Sequence, residues 1–339
     1  MIQIAAVEAS DCLNKRLLIL SVVGNYYRRR LELVRIGIVR NHDASARHKS
    51  QRYEVVGKLL MPKDSEVKED STSKLTAEQI EQFTRDGYLM VKALFDTEEA
   101  DLLLSIAKND QQIEQQAHVR LDLSSGQTKL WITGSLGDDI YSAFVRSPRI
   151  VDPMEQMLGG EVYHYHHKMM LKEPFVGGAW EWHQDYGYWY SNDCLFPYMA
   201  SCLIAIDRAT RENGCLQVIK GSHHMGRIDH GKVGEQTGAD RERVQEALKA
   251  LELVQCEMEP GSALFFHCNL LHRSEANRSP NPRWSLICSY NAARNPCREK
   301  LNHSGYHFLE KWPDSQIKAI GRRQLEMMAE ESDVTSESI

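Results

Sequence analysis

Trp182-His183-Gln184-Asp185 sets an imidazole and a carboxylate two positions apart, with aromatic residues on both sides. In a β-strand, residues i and i+2 point to the same side, so His183 and Asp185 are expected to face one ion. A third ligand from a distant strand would complete a two-histidine, one-carboxylate face with open coordination positions. That arrangement suits non-haem Fe(II) and O2 chemistry. The tripeptide alone is a frequent chance match, and its plain reading is a His and an Asp satisfied by hydrogen bonds at a strand end. A second segment shifts the balance. Glu259-Pro260-Gly261-Ser262-Ala263-Leu264-Phe265-Phe266-His267 reads as a turn entering a buried strand, and Leu270-Leu271-His272-Arg273-Ser274 follows. Either His267, which ends the apolar run, or His272, after a short turn, can supply the third ligand. Arg283 then heads the strand that runs to Tyr290. A buried arginine opening a core strand needs an anion. No acidic cluster is an obvious partner, so a dianionic cosubstrate fits; the plain reading is a surface salt bridge.

These residues need a scaffold. Short runs rich in β-branched and aromatic residues occur at 161–172, 178–184, 199–207, 214–220, 253–258, 261–267 and 283–290, separated by turn signals. The spacing predicts an all-β sandwich or barrel with helices packed outside. Thr76-Ala-Glu-Gln79 and Asp96-Thr-Glu-Glu99 are capping boxes that open helices. Gly87 ends the first, and Tyr88 to Phe95 reads as a strand. A helical pair is expected over 138–158, broken near Pro148 and closed by Gly159-Gly160. Further helices are expected at 240–251 and 313–329, with a polar tail over 330–339. His164, His166 and His167 read as an alternating strand with one face inward, rather than a second metal site. Lys168 shares the face of His166 and Met170, from which it could meet the cosubstrate.

Composition bounds the function. The 339 residues carry 41 Lys+Arg against 47 Asp+Glu, a net charge of −6, which disfavours a general nucleic-acid binder. No apolar run reaches the ~20 residues of a membrane span. The 8 Cys are scattered with no CxxC; several sit in apolar runs where Cys acts as a small hydrophobe, and a reducing compartment is expected. Residues 1–60 hold 11 basic and 5 acidic residues. With the polar stretch 62–74, they read as a basic leader and linker, unpacked over 1–74. Cytoplasm is the expected location, with organellar import through the leader as the alternative. Residues 75–312 then form the functional domain, with the β core at about 160–292, and 313–339 the C-terminal helix and tail.

Four segments carry a family resemblance: TAEQIEQFTRDGYLMVKALFD, WHQDYGYW, NGCLQVIKGSH and PGSALFFHCNLLHRSEANRSPNPR. Over about residues 76–292 the chain resembles the phytanoyl-CoA dioxygenase family of Fe(II)/2-oxoglutarate oxygenases, which includes the ectoine hydroxylases. The resemblance implies a double-stranded β-helix, a cupin-like jelly roll, mainly β with flanking helices. It implies His183, Asp185 and His272, rather than His267, as iron ligands. Arg283 matches the arginine for the far carboxylate of 2-oxoglutarate, with Ser274 beside it. Trp189 matches an aromatic that lines the substrate pocket, and Tyr186 belongs to the same aromatic surround. His223 is expected to be structural. The implied reaction uses O2 to decarboxylate 2-oxoglutarate to succinate and hydroxylate a small organic substrate. Asp185 favours hydroxylation, since related halogenases have a small residue there. His166 and Met170 stand where ectoine hydroxylases have Gln and Asn, which argues against ectoine itself. The partner is a small molecule, and the chain a monomer or homodimer. The competing reading is a metal-binding cupin-like jelly roll without oxoglutarate turnover, an isomerase or a binding module.

Overall fold

The computed structural model describes residues 73–192, 194–295, 297 and 306–336, so nearly all of the expected leader lies outside the described residues. The chain enters through α1 (Ala77–Asp86), β1 (Tyr88–Val91) and α2 (Thr97–Asn109). Both expected capping boxes form: the side chains of Thr76 and Asp96 accept from the N3 amides, and Gln79 and Glu99 reach back. Gly87 ends α1 at φ 81°. A Cβ there would sit 2.4 Å from His223 Nδ1, so only glycine fits. The strand expected to reach Phe95 stops at Val91, because the chain turns through Ala93 at φ 48°.

Next come α3 (Gln111–Gln116), β2 (His118–Leu121), β3 (Gln127–Thr133), α4 (Ile140–Arg146) and α5 (Pro148–Leu158). Ser147 ends α4 and caps α5, whose first residue is Pro148; proline loses nothing there because its missing N–H would have no helical partner. The remaining elements are β4 (Val162–Lys172), β5 (Trp180–His183), α6 (Asp185–Trp189), β6 (Met199–Ala205), β7 (Leu216–Ile219), β8 (His230–Val233), β9 (Gln236–Ala239), α7 (Arg241–Ala250), β10 (Leu253–Cys256), β11 (Ala263–His267), β12 (His272–Ser274), β13 (Arg283–Ala292) and α8 (Ser315–Ser336).

A seven-stranded sheet, β1-β11-β6-β13-β4-β3-β2, faces a four-stranded sheet, β10-β7-β12-β5, and β8 and β9 form a separate hairpin. The result is the jelly roll with flanking helices. The large sheet begins before residue 160, since β1, β2 and β3 extend it at both edges. Two apolar layers hold it. Outside, Met169, Leu171, Leu286, Cys288 and Phe265 pack on Leu103, Ile106, Phe144, Ile150 and Met154 of the helices. Between the sheets, Leu203, Leu264, Phe266 and Ile287 meet Leu216, Val218 and Cys256. Each Val, Leu, Ile, Phe or Met side chain among them contributes ~1.5–3 kcal/mol on full burial. No described helix is long and apolar enough to cross a membrane.

The cysteines depart from expectation. Cys194 and Cys297 form a disulfide, while Cys202, Cys215, Cys256, Cys268 and Cys288 are free and buried. Spacing gave no sign of this pair, 103 residues apart.

Candidate metal centre

β12 lies between β7 and β5, and its first residue, His272, stands directly opposite His183. Opposed residues of an antiparallel pair share a face, and the two imidazole centroids are 4.0 Å apart. Asp185 arrives differently from the sequence reading. β5 ends at His183, Gln184 is extended, and Asp185 opens α6; a strand-to-helix turn, not strand alternation, brings the carboxylate round. Asp185 Oδ1 lies 3.9 Å from His183 Nε2 and 3.9 Å from His272 Nε2. The three donor atoms fall within 4.8 Å of one another, and no other described group of three or more such residues converges in this way.

Hydrogen bonds set the protonation of the donors. His183 Nδ1 donates to the Glu181 carbonyl at 2.7 Å and His272 Nδ1 to the Leu270 carbonyl at 2.9 Å. A carbonyl only accepts, so each ring carries its proton on Nδ1 and turns an Nε2 lone pair inward. Burial, then repulsion from His272, keeps His183 well below the usual imidazole range. Burial also lowers His272, although Asp185 opposes it. For Asp185, burial favours the acid form, but Lys168 at 3.8 Å, followed by His272, His166 and the Ser201 hydroxyl, outweighs it. Ser201 donates to Asp185 Oδ2 at 3.1 Å and shares a hydrogen bond with Ser289 at 2.9 Å. The donor set is therefore two neutral imidazoles and one carboxylate, which suits a divalent first-row metal with open positions.

Gln184, between two of these residues, went unread in the sequence. It is fully buried. Its amide nitrogen donates to the carbonyls of Gly226 and Asn269, both at 2.7 Å, and its amide oxygen accepts from Ile228 N at 2.7 Å. Its backbone N–H donates to His230 Nε2 at 2.9 Å. The His230 ring lies on Gly187, where a Cβ would stand 2.3 Å from it. A buried polar residue inside the motif was a usable signal for Gln184; nothing in the sequence marked His230.

The other expected residues separate clearly. His267 lies away from the group: its Nδ1 accepts from Asn269 N at 3.0 Å, and its ring stands 5.3 Å from His223. His223 Nε2 donates to the Thr84 carbonyl at 3.0 Å, a contact that ties it to α1. The β4 histidines do not simply alternate. The β4–β13 ladder skips Tyr165, so His164 and His167 share the outer face and bond at 3.1 Å, while His166 turns inward. Trp189 packs edge-on against Tyr165 and His166, with centroids 5.3 and 5.7 Å away. Tyr186 gives its hydroxyl to the Cys194 carbonyl at 2.9 Å. The tyrosine beside the candidate ligands is Tyr188, 5.7 Å from His183.

The interior face of the large sheet carries His166, Lys168, Met170 and Lys172 on β4. Opposite them on β13 stand Ser289, Ile287, Ser285 and Arg283. Arg283 is 3% exposed. Its Nη1 donates to Ser285 Oγ at 3.2 Å, while Nε and Nη2 have no partner. Burial pushes its pKa down to about 10. Ser274, buried, lies on β12 two residues beyond His272.

Residues 83–285 match the family model for phytanoyl-CoA dioxygenase (PhyH). The chain belongs to the phytanoyl-CoA dioxygenase family of iron- and 2-oxoglutarate-dependent oxygenases. Among curated members, it is 33% identical to L-proline trans-4-hydroxylase of Streptomyces griseoviridis over 174 residues, covering 47% of this chain and 65% of that protein. It is 28% identical to ectoine dioxygenase of Bordetella parapertussis over 275 residues, covering 74% and 87%. The solved structure of EctD from S. alaskensis with bound Fe superposes with a TM-score of 0.61 at 23% identity, covering 72% of this chain and 89% of that one. At that identity the structure speaks for the jelly roll, in line with the strand pattern.

Proposed function

We propose that this family member hydroxylates a small organic substrate and decarboxylates 2-oxoglutarate to succinate, at an iron centre held by His183, Asp185 and His272. The observation that carries the reading is a buried face of two Nδ1-protonated imidazoles and one carboxylate, inside the same barrel as an arginine with unused N–H donors. Bound Fe(II), with 2-oxoglutarate and O2, supplies the oxidant that turns C–H into C–OH.

The chain's own residues do the rest. His183 and His272 present lone pairs whose direction is fixed by the Glu181 and Leu270 carbonyls. Asp185 contributes the negative charge, and Ser201 restrains its second oxygen. Arg283 offers planar N–H donors matched to a carboxylate, with Ser274 as a neutral donor nearby. Lys168, close to Asp185, would meet the cosubstrate at the metal end. Burial around the three donors keeps water from the reacting atoms. Trp189 and His166 would form one wall of the substrate pocket, with Tyr186 behind it, held on the Cys194 carbonyl. Proline and ectoine, named by the two relatives, are both small cyclic zwitterions, and that chemical class is the first to try here.

The test is succinate formation by purified protein with Fe(II), 2-oxoglutarate and O2, across a panel of cyclic amino acids, with a substrate mass gain of one oxygen. Iron-dependent succinate matched by hydroxylated product is the expected result. Metal binding with no 2-oxoglutarate consumption under any condition would favour a cupin-like isomerase or binding module instead.

A further inference from the structure

The terminal rung of the β4–β13 ladder sets Lys172 opposite Arg283. Opposed residues of an antiparallel pair have Cβ atoms ~4.5–5.5 Å apart on a common face, here the interior one. Lys172 is fully buried. Among the described residues, neither cation has a carboxylate within ion-pair distance. Lys172 Nζ donates to the Glu275 carbonyl, and Arg283 bonds only the Ser285 hydroxyl. An ammonium has three donors, so one backbone acceptor leaves it undersupplied. Two adjacent cations in a dry interior repel, and burial disfavours the charge on each. Burial, followed by Arg283, holds Lys172 well below the ordinary lysine range. A lysine needed only for packing gains nothing from that position, whereas an arriving carboxylate would relieve both groups.

The Glu275 carbonyl also places Lys172 in the loop that matters. Glu275 follows Ser274 and lies in the segment leading to Arg283. Asn277 Nδ2 donates to the Lys172 carbonyl at 3.4 Å and to the Asn281 carbonyl at 2.7 Å. One side chain thus touches the connection between Ser274 and Arg283 while standing beside the guanidinium.

We propose that Lys172 is a second cation of the 2-oxoglutarate pocket: anchored on the Glu275 carbonyl, it directs its charge and a spare N–H at the far carboxylate that Arg283 receives. The inference rests on the oxoglutarate reading above, and its test separates the two. Calorimetric titration of anaerobic, Fe(II)-loaded protein is done with 2-oxoglutarate and with 2-oxopentanoate, which lacks the far carboxylate. Wild-type protein should prefer 2-oxoglutarate by about tenfold or more, the value of one charge-assisted bond; equal affinity would overturn the oxoglutarate reading itself. Given that preference, Lys172→Met should weaken 2-oxoglutarate by about tenfold and move 2-oxopentanoate by less than about twofold. Lys172→Arg should recover part of the loss. A similar loss for both ligands, or for neither, would assign Lys172 to the scaffold and overturn the proposal.

Should the methionine variant not fold, wild-type protein carries the test. The groups acting on Lys172 are Arg283 on β13, Asp122, Glu275 and Cys215. At mildly alkaline pH, in buffers of different ionisation enthalpy, 2-oxoglutarate should draw in a proton and 2-oxopentanoate should not. Equal proton uptake for the two ligands would overturn the assignment.

Discussion

Asp185 carries the only negative charge of the candidate centre, and removing it has two effects. The ion loses its oxygen donor, and Lys168 is left facing two imidazoles with no counter-charge. Asp185→Ala is therefore expected to lose iron binding, read by metal titration, and to reduce succinate formation to background; turnover at the wild-type rate would sink the triad. Arg283→Ala should act on the cosubstrate instead. One charge-assisted hydrogen bond contributes roughly 1.5–3 kcal/mol, and ~1.4 kcal/mol is tenfold, so kcat/KM for 2-oxoglutarate should fall about ten- to a few-hundredfold. Arg283→Lys should restore only part, because a point charge lacks the two-pronged geometry, and Ser274→Ala should cost less. An arginine that merely braced the strand would lower the melting temperature and leave the cosubstrate KM alone. Buried imidazoles also set an acid limit on the apo fold. Burial pushes His167 down to about 4 from 6.5, and burial followed by its histidine neighbours takes His267 to about 3. Below pH 6.5 the unfolded chain takes up protons that these rings refuse. Stability is therefore full above that pH and falls as pH drops toward 4, by ~1.4 kcal/mol per ring for each tenfold loss of proton affinity on folding. Thermal melts across this range check it; a flat profile would show that these rings titrate normally.

At the scale of elements, the turn between β5 and α6 is the part most dependent on neighbours. Gln184 uses its whole amide to join two loops, and each buried group it would leave unpaired costs roughly 1–3 kcal/mol. Gln184→Ala should thus lower the melting temperature by several degrees and weaken iron binding by roughly 10–100-fold, the usual effect of losing a contact that orients a ligand. Intact iron affinity in a destabilised variant would show that the turn holds its shape without the amide. The same turn shows which information is local. The capping boxes at Thr76 and Asp96, the strands 162–172 and 283–292, and the helix 241–250 were legible, because side chains a few residues apart decide them. The convergence of His183, Asp185 and His272 was foreseen, though the strand alternation invoked for Asp185 was wrong. β8 and β9 were missed because His230-Gly-Lys-Val233 and Gln236-Thr-Gly-Ala239 are polar and contain glycine; they pair with each other and are held against β5 and the turn after it, where Glu181 N donates to Gln236 Oε1 and Gln184 N to His230 Nε2. β2 and β3 also escaped notice: β2 is a mostly exposed edge strand and β3, paired between β2 and β4, carries exposed polar residues, so neither shows a strong pattern. The skipped residue at Tyr165 inverts the facing of His164, and the Cys194–Cys297 bond joins distant segments. Both depend on partners that a single stretch of sequence does not contain.

At the scale of the whole molecule, the question is where the catalytic unit begins. The first described contacts are specific: Ser73 Oγ donates to Asp152 Oδ2 at 2.7 Å, and Leu75 N donates to Gln156 Oε1 at 2.8 Å, so both residues hold the start of α1 against α5. Phe83 and Leu89 then enter the same apolar layer as Ile150, Met154 and Leu158, and β1 closes one edge of the large sheet beside β11. Everything named at the centre lies after this point. Residues 1–60, by contrast, lie outside the described residues, and their 11 basic against 5 acidic residues without a clear periodic pattern read in the sequence as a leader separate from this unit. Deleting residues 1–60 is therefore expected to leave the melting temperature and iron-dependent 2-oxoglutarate turnover unchanged. Deleting through residue 76 should lower the melting temperature, because it removes the capping box and the Ser73 and Leu75 contacts, with ~1 kcal/mol for the cap alone. Both truncations can be compared with the full chain by thermal melt and succinate assay. A marked loss in the shorter truncation would show that the basic segment packs on the barrel and belongs to the catalytic unit.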